Sequence, residues 1–246
     1  MSIIRKSKAS GPEPFLPADY LARDYPERGV PCYYSSMKFS IDLHVHSKFS
    51  GDTDSEPEES IIQAIKVHLN GLAFTEHYSY EASEVVEILK EKYSERIGLF
   101  RGVEFSAAEG HCLVFGVNTD KLSIKRAPVA DLIRIVSEKG GVVIPSHPYR
   151  IGNSLGDKIA LAKGICALEG YNGCTMNTYN AKAIERAKAL NLPYTGGSDA
   201  HLPQEVGLCF TEFEHAVTDE TFIGMLRAGN YVGVDKRKFP LGRVSL

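Results

Sequence analysis

The sequence has no apolar run long enough to cross a membrane. Spanning helices need about 20 predominantly apolar residues. No apolar signal core follows the basic residues of the opening stretch, MSIIRKSKASGPEP. The expectation is therefore a cytoplasmic protein without a membrane partner. The chain also lacks a C-x-x-C pair. Its five cysteines, Cys32, Cys112, Cys166, Cys174 and Cys209, are scattered, so a cysteine zinc site has no support and reduced thiols are expected. There is no basic excess either: 28 Lys and Arg stand against 31 Asp and Glu, for a net charge of -3. That balance excludes bulk nucleic-acid binding through a basic surface. It leaves room for a nucleotide or short oligonucleotide, because bound metals would supply local positive charge. Internal repeats and low-complexity runs are missing as well.

What is there is a 246-residue chain, 43% hydrophobic and 24% charged, enough for one large globular domain with a sizeable core. Residues 1–38 stand apart. They hold five prolines and little periodicity, and read as an N-terminal extension, with Met37 a candidate alternative start. Residues 39–246 form the main domain. From Phe39 strand signals alternate with helix signals. FSIDLHV, GLAFTEH, IGLFRGVEF, HCLVFGVN, GVVIPSHP, GICALEGYNG, LPYTGGSDAH and VGLCFTEF read as strands. PEESIIQAIKVHLN, SEVVEILKEKY, PVADLIRIVSEKGG, YNAKAIERAKALN and DETFIGMLRAGN read as helices. This α/β alternation implies a parallel sheet with right-handed crossovers. Periodicity does not choose between an open sheet and a closed barrel.

The histidines are informative because of where they fall. His44 and His46 lie two apart at the end of the first strand, so both face the same side and could chelate one metal. His77 ends GLAFTEH, and His147 ends GVVIPSH. Glu104 ends LFRGVE and His111 opens the next strand. Asp199 and His201 follow a Gly-Gly-Ser turn, again two apart. Nearly all of these positions are strand C-terminal ends or the loops just beyond, the face that carries active sites in α/β barrels. Imidazoles and carboxylates together suit zinc, manganese or iron. His68, within QAIKVHLN, and His215, within FEHAVT, fall outside this pattern and are expected at the surface.

In order along the chain, DLHVHSKFSGD, FTEH, GVEFS with HCLVFG, IPSHP, ALEGYNG and GGSDAH resemble the PHP (polymerase and histidinol phosphatase) family. The resemblance covers about residues 39–234. It implies a distorted (β/α)7 TIM-like barrel with two or three divalent transition metals (Zn, Mn or Fe) at its C-terminal face. By motif, it implies one metal on His44, His46, Glu104 and Asp199, a second on Asp52, His77 and His201, and a third on Glu104, His111 and His147, with Glu104 bridging. Asp54 competes with Asp52, and Asp52 can also be read as a turn residue after Gly51. Glu76 is expected to orient a ligand, with direct ligation as the alternative.

The chemistry that follows is hydrolysis of a phosphate ester by a metal-bound hydroxide, with a small phosphorylated compound or nucleotide as substrate. Arg150, directly after SHPY, is the first choice to hold the phosphate, and Lys48 the second. His201 is either a ligand or the acid that protonates the leaving group. Two rival readings are a PHP-related binding protein without catalysis and a metal-dependent hydrolase of a non-phosphate bond.

Overall fold

The computed structural model describes residues 38–122, 124 and 126–237. The expected N-terminal extension lies outside them, apart from Lys38. Nine strands and five α-helices are present among the described residues: β1 Phe39–Val45, α1 Pro57–Lys66, β2 Gly71–Phe74, α2 Val85–Tyr93, β3 Gly98–Ser106, β4 His111–Phe115, α3 Val129–Glu138, β5 Val142–Pro145, β6 Leu168–Asn172, α4 Asn177–Ala189, β7 Tyr194–Gly197, β8 Cys209–Phe213, α5 Phe222–Ala228 and β9 Tyr231–Asp235. No helix among them is long and apolar enough to cross a membrane, and no disulfide joins the described cysteines.

Local sequence accounts for the elements. Pro57 opens α1, where a missing N–H costs nothing, and Glu58 and Glu59 complement the positive end of the helix. In α3, Val129, Leu132, Ile133 and Val136 recur at helical spacing and are all buried. Removing each from water is worth roughly 1.5–3 kcal/mol before entropy is counted. The Glu109 carboxylate accepts the Val129 N–H at 2.8 Å and caps that helix. α1 stops at Lys66, earlier than its apolar spacing suggests, so His68 lies beyond the helix, exposed, with φ 62°. His215 is exposed as well.

The architecture is a mixed α/β fold consistent with the distorted barrel. Seven strands run in the order β5-β4-β3-β2-β1-β8-β9, and β6 and β7 form a separate parallel pair. The expectation of a wholly parallel sheet needs correction. β1, β2 and β3 are parallel, but β3–β4, β4–β5, β1–β8 and β8–β9 are antiparallel. Only residues 107–110 separate β3 from β4, far too few for a crossover, so a hairpin is the only connection possible. Strand periodicity is the same in both directions, and the sequence pattern does not report which one is used.

β1 holds the centre. Its first residues, Phe39–Ile41, pair with β8. Its last residues turn to the chain after β7: Asp199 N–H donates to His44 C=O at 2.7 Å and His46 N–H to Ala200 C=O at 3.0 Å. This change of partner brings the Asp-x-His loop against the His-x-His strand. Two register shifts accompany it, one in β1 between Asp42 and Val45 and one in β6 between Glu169 and Tyr171. Such irregularities re-aim side chains and are over-represented next to active sites.

Candidate metal centre

Five imidazoles, carried by four strands or the residues just beyond them, converge on one carboxylate. Glu104, near the end of β3, is 1% exposed. Its oxygens lie 3.5 Å from His44 Nε2, 3.6 Å from His46 Nε2, 3.2 Å from His77 Nδ1, 3.3 Å from His111 Nδ1 and 2.7 Å from His147 Nε2. Asp199, equally buried, places Oδ1 3.3 Å from His44 Nε2 and 3.2 Å from His46 Nε2, which are themselves 3.0 Å apart. Donor atoms bound at about 2.0–2.1 Å to a tetrahedral ion are separated by roughly 3.3 Å, so His44, His46 and Asp199 have the spacing of one coordination shell, and Glu104 approaches both imidazoles at 3.5 and 3.6 Å. The second expected set also meets: Asp52 Oδ2 lies 3.1 Å from both His77 Nε2 and His201 Nε2. Asp54 is exposed and makes no such approach.

The buried atoms left without hydrogen bonds test whether metals fit. His77 Nδ1, Glu104 Oε2 and His111 Nδ1 are buried and have no hydrogen-bond partner. Each nevertheless sits 3.2–3.3 Å from an opposing donor atom, without hydrogen-bond alignment. Buried polar groups are otherwise almost always satisfied. Two lone-pair donors at that distance and misaligned suit a shared cation. The site therefore fits divalent metals held by these residues, and groups of His46, His77 and His201, of His44, His46 and Glu104, and of His77, Glu104 and His111 are each compact enough to hold one.

Supporting groups fix the imidazoles. His44 Nδ1–H donates to Glu169 Oε1 at 2.8 Å, which turns Nε2 into the cluster. Glu169 Oε2 accepts the His147 N–H at 2.6 Å. His46 Nδ1 meets Ser50 Oγ at 2.9 Å, and Ser50 donates to Glu76 Oε2 at 2.6 Å, so Glu76 acts through serine rather than on a ligand directly. His201 Nδ1 lies 2.9 Å from the Asp199 carbonyl, which can only accept, and this again turns Nε2 into the site. Asn172 donates to Asp199 Oδ2 and Glu169 Oε2. Asp42, on β1, accepts N–H groups of His44, Ser198 and Gly207 and ties the loop after β7 to the strand.

Charges follow the geometry. Burial alone would raise the Glu104 carboxyl, but His44 and His147 outweigh it and hold it well below its usual range. Asp199 is held down in the same way, burial being overcome by His44 and His46. Burial works against a His44 cation, yet Asp199, Glu169 and Glu104 together raise its pKa well above the ordinary value. Burial pushes His46 down to about 4, with the His44 cation adding to the effect, so His46 is neutral at pH 7. Burial pushes Asp42 up to about 6.

Arg150 departs from expectation. It was expected to hold substrate phosphate, and here its guanidinium also donates to Asp199 Oδ2 at 2.7 Å and His147 Nε2 at 2.8 Å. Two of the expected ligands thus already share a cation, because buried acceptors this close together attract the nearest positive charge. Lys48 pairs with Glu56 at 2.8 Å, away from the cluster. Sequence reasoning missed Glu169, Asn172, Ser50 and Asp42 as site-building residues. The ALEGYNG and DLHVH segments contained three of them, but nothing in strand periodicity marks a carboxylate or amide as aimed inward.

The arrangement defines a class: an α/β barrel-like protein whose strand ends gather histidine and carboxylate groups that could hold metal. The model of the PHP domain matches residues 42–169, and that of the PHP-associated region matches residues 177–231. The chain belongs to the PHP family. It is 28% identical over 129 residues, 48% of this chain and 73% of the relative, to an uncharacterized protein of Methanocaldococcus jannaschii. It is 37% identical over 70 residues, 27% of this chain and 30% of the relative, to a probable histidinol-phosphatase of Thermotoga maritima. In structure it resembles a two-domain Bacteroides vulgatus protein described as containing a predicted PHP-like metal-dependent phosphoesterase. The TM-score is 0.65 at 20% identity, over 87% of this chain and 69% of the other.

Proposed function

We propose that the protein is a metal-dependent phosphoesterase acting on a small phosphomonoester or nucleotide. The observation that carries the reading is Glu104, one buried carboxylate ringed by five imidazoles, with orphaned donor atoms facing it. A single tetrahedral ion does not use so many donors, which favours two or three ions. When bound, such metals lower the pKa of water towards neutrality and offset charge on phosphoryl oxygens.

The chain's own residues have distinct parts. His44, His46, Glu104 and Asp199 would hold one ion, and Asp52, His77 and His201 another. His111 and His147, both on Glu104, would complete a third position. His201 acts as a ligand rather than as an acid, since its Nδ1–H is engaged by the Asp199 carbonyl and its Nε2 faces Asp52. Glu169 and the Ser50–Glu76 pair keep the His44 and His46 lone pairs aimed at the cluster. Arg150 uses one N–H each on Asp199 and His147, which leaves three of its five for phosphoryl oxygens. Its place beside Asp199 sets a phosphate against the cluster.

The test is a panel of phosphomonoesters, phosphodiesters and carboxylic esters assayed with the protein loaded with Mn or Zn. Preferential turnover of phosphomonoesters is expected. Turnover of carboxylic esters alone would transfer the site to another hydrolase class, and no turnover with full metal content would favour a binding role.

A further inference from the structure

Beside the metal centre, on the far side of His111, lies a cavity of about 440 Å³. Its walls include Tyr78, Ser106, Glu109, Arg126, Asn153 and His111 itself. His111 is a shared partition: Nδ1 faces Glu104, and Nε2 lies 3.2 Å from Ser106 Oγ. A substrate whose phosphate sits at the metals would thus have the rest of its body next to this space. The volume suits a ring-sized organic group.

The cavity is built, not incidental. Tyr78, Arg126 and Asn153 all adopt left-handed backbone conformations, with φ of 66°, 49° and 51°. Two more such residues, His147 and Asp199, are in the metal centre itself. Non-glycine residues adopt that conformation at a cost and concentrate where function demands it. The walls are also pinned to each other: His111 N–H donates to Asn153 C=O at 2.9 Å, and a Cβ on Gly110 would meet Ser154 backbone at 2.5 Å. Tyr78, the residue after His77, is 76% exposed and offers an aromatic face at the rim.

The charges in the cavity are unequal in their commitments. The Glu109 carboxylate is engaged by the Val129 N–H at the start of α3. Arg126 makes no hydrogen bond or ion pair to any described residue. A guanidinium with no partner among the described residues, in a polar, aromatic-rimmed space, is suited to recognise an anionic group. Resting on the phosphoesterase reading, we propose that this cavity is the subsite for the organic part of the substrate, and that Arg126 selects phosphoesters carrying a second anionic group beyond the ester.

A matched set of aryl phosphates tests this: phenyl phosphate, 4-carbamoylphenyl phosphate and 4-carboxyphenyl phosphate, with the metal-loaded full chain. The carboxylate ester should exceed the other two in kcat/KM by roughly ten-fold or more, mainly through KM, as one charge-assisted hydrogen bond implies. Arg126→Ala should bring the three esters to within about two-fold of one another, while Arg126→Lys should keep part of the preference. Independently of turnover, calorimetric titration with 4-hydroxybenzoate should show binding that weakens by a similar factor in Arg126→Ala at unchanged metal content. Equal turnover of all three by the wild type, with no heat from 4-hydroxybenzoate, overturns the subsite and leaves the phosphoesterase reading intact. Failure to hydrolyse these or any phosphoester of the wider panel overturns that reading, and the subsite with it.

Discussion

Glu104 and Arg150 carry opposite charges in one cluster, and their replacements separate holding metal from holding substrate. Glu104→Gln removes the carboxylate that touches five imidazoles. It should lower metal content, measured by elemental analysis, and abolish hydrolysis. Arg150→Ala should retain the metals, since its partners Asp199 and His147 keep their own donor atoms. It should cost roughly 1.5–3 kcal/mol of charge-assisted binding, about ten- to hundred-fold in kcat/KM. An Arg150→Ala protein with full activity would move phosphate binding elsewhere. His44 supplies a proton-linked prediction. In the metal-free protein burial opposes its charged form, but Asp199, Glu169 and Glu104 together raise its pKa above the ordinary value. A ligand must be deprotonated, so metal binding should release a proton and tighten as pH rises. Calorimetric heats should differ between buffers of different ionisation enthalpy; identical heats would contradict a protonated His44. The sign for stability runs the other way. The raised His44 pKa contributes stability to the metal-free fold that is fully present below about 6.5. That contribution is lost as pH rises through the folded value. Glu104 and Asp199, held low, contribute stability above the usual carboxylate pKa values that is lost in acid as pH falls through their folded ones.

The elements show what the sequence made legible. Alternating strand and helix signals located most elements. The candidate ligands that the structure brings together were legible because such side chains cluster at strand ends, where a short motif such as His-x-His retains its period. Direction was not legible, since a hairpin and a crossover strand share one period, and the antiparallel β3–β4 pair was read as parallel. β9 was missed altogether: YVGVD follows α5 directly and has only a short apolar alternation. The β1–β7 approach was equally hidden, because it depends on what Gly197 lacks. A Cβ there would lie 2.4 Å from His44 Cβ and 2.9 Å from Glu169 Oε1. Gly197→Ala should therefore push β1 from β7, destabilise by roughly 1–3 kcal/mol and reduce metal content together. Gly224, within α5, has open space around it, and Gly224→Ala should stabilise by about 0.5–1 kcal/mol. Thermal unfolding of the two variants checks the contrast; equal shifts would show that close packing at Gly197 is not what matters.

For the whole molecule, the fold works as a device for gathering charge. A curled sheet brings carboxylates and histidines from separate strands into a volume from which water is largely excluded. Such a cluster of buried donors is costly while its atoms face one another unpaired, and bound cations relieve that cost. Metals should therefore belong to the folded protein rather than decorate it. The most direct measurement is the metal content of purified protein after reconstitution with Mn or Zn and removal of excess, by elemental analysis against protein concentration. At least two ions per chain are predicted. Fewer than one per chain would contradict a multinuclear centre.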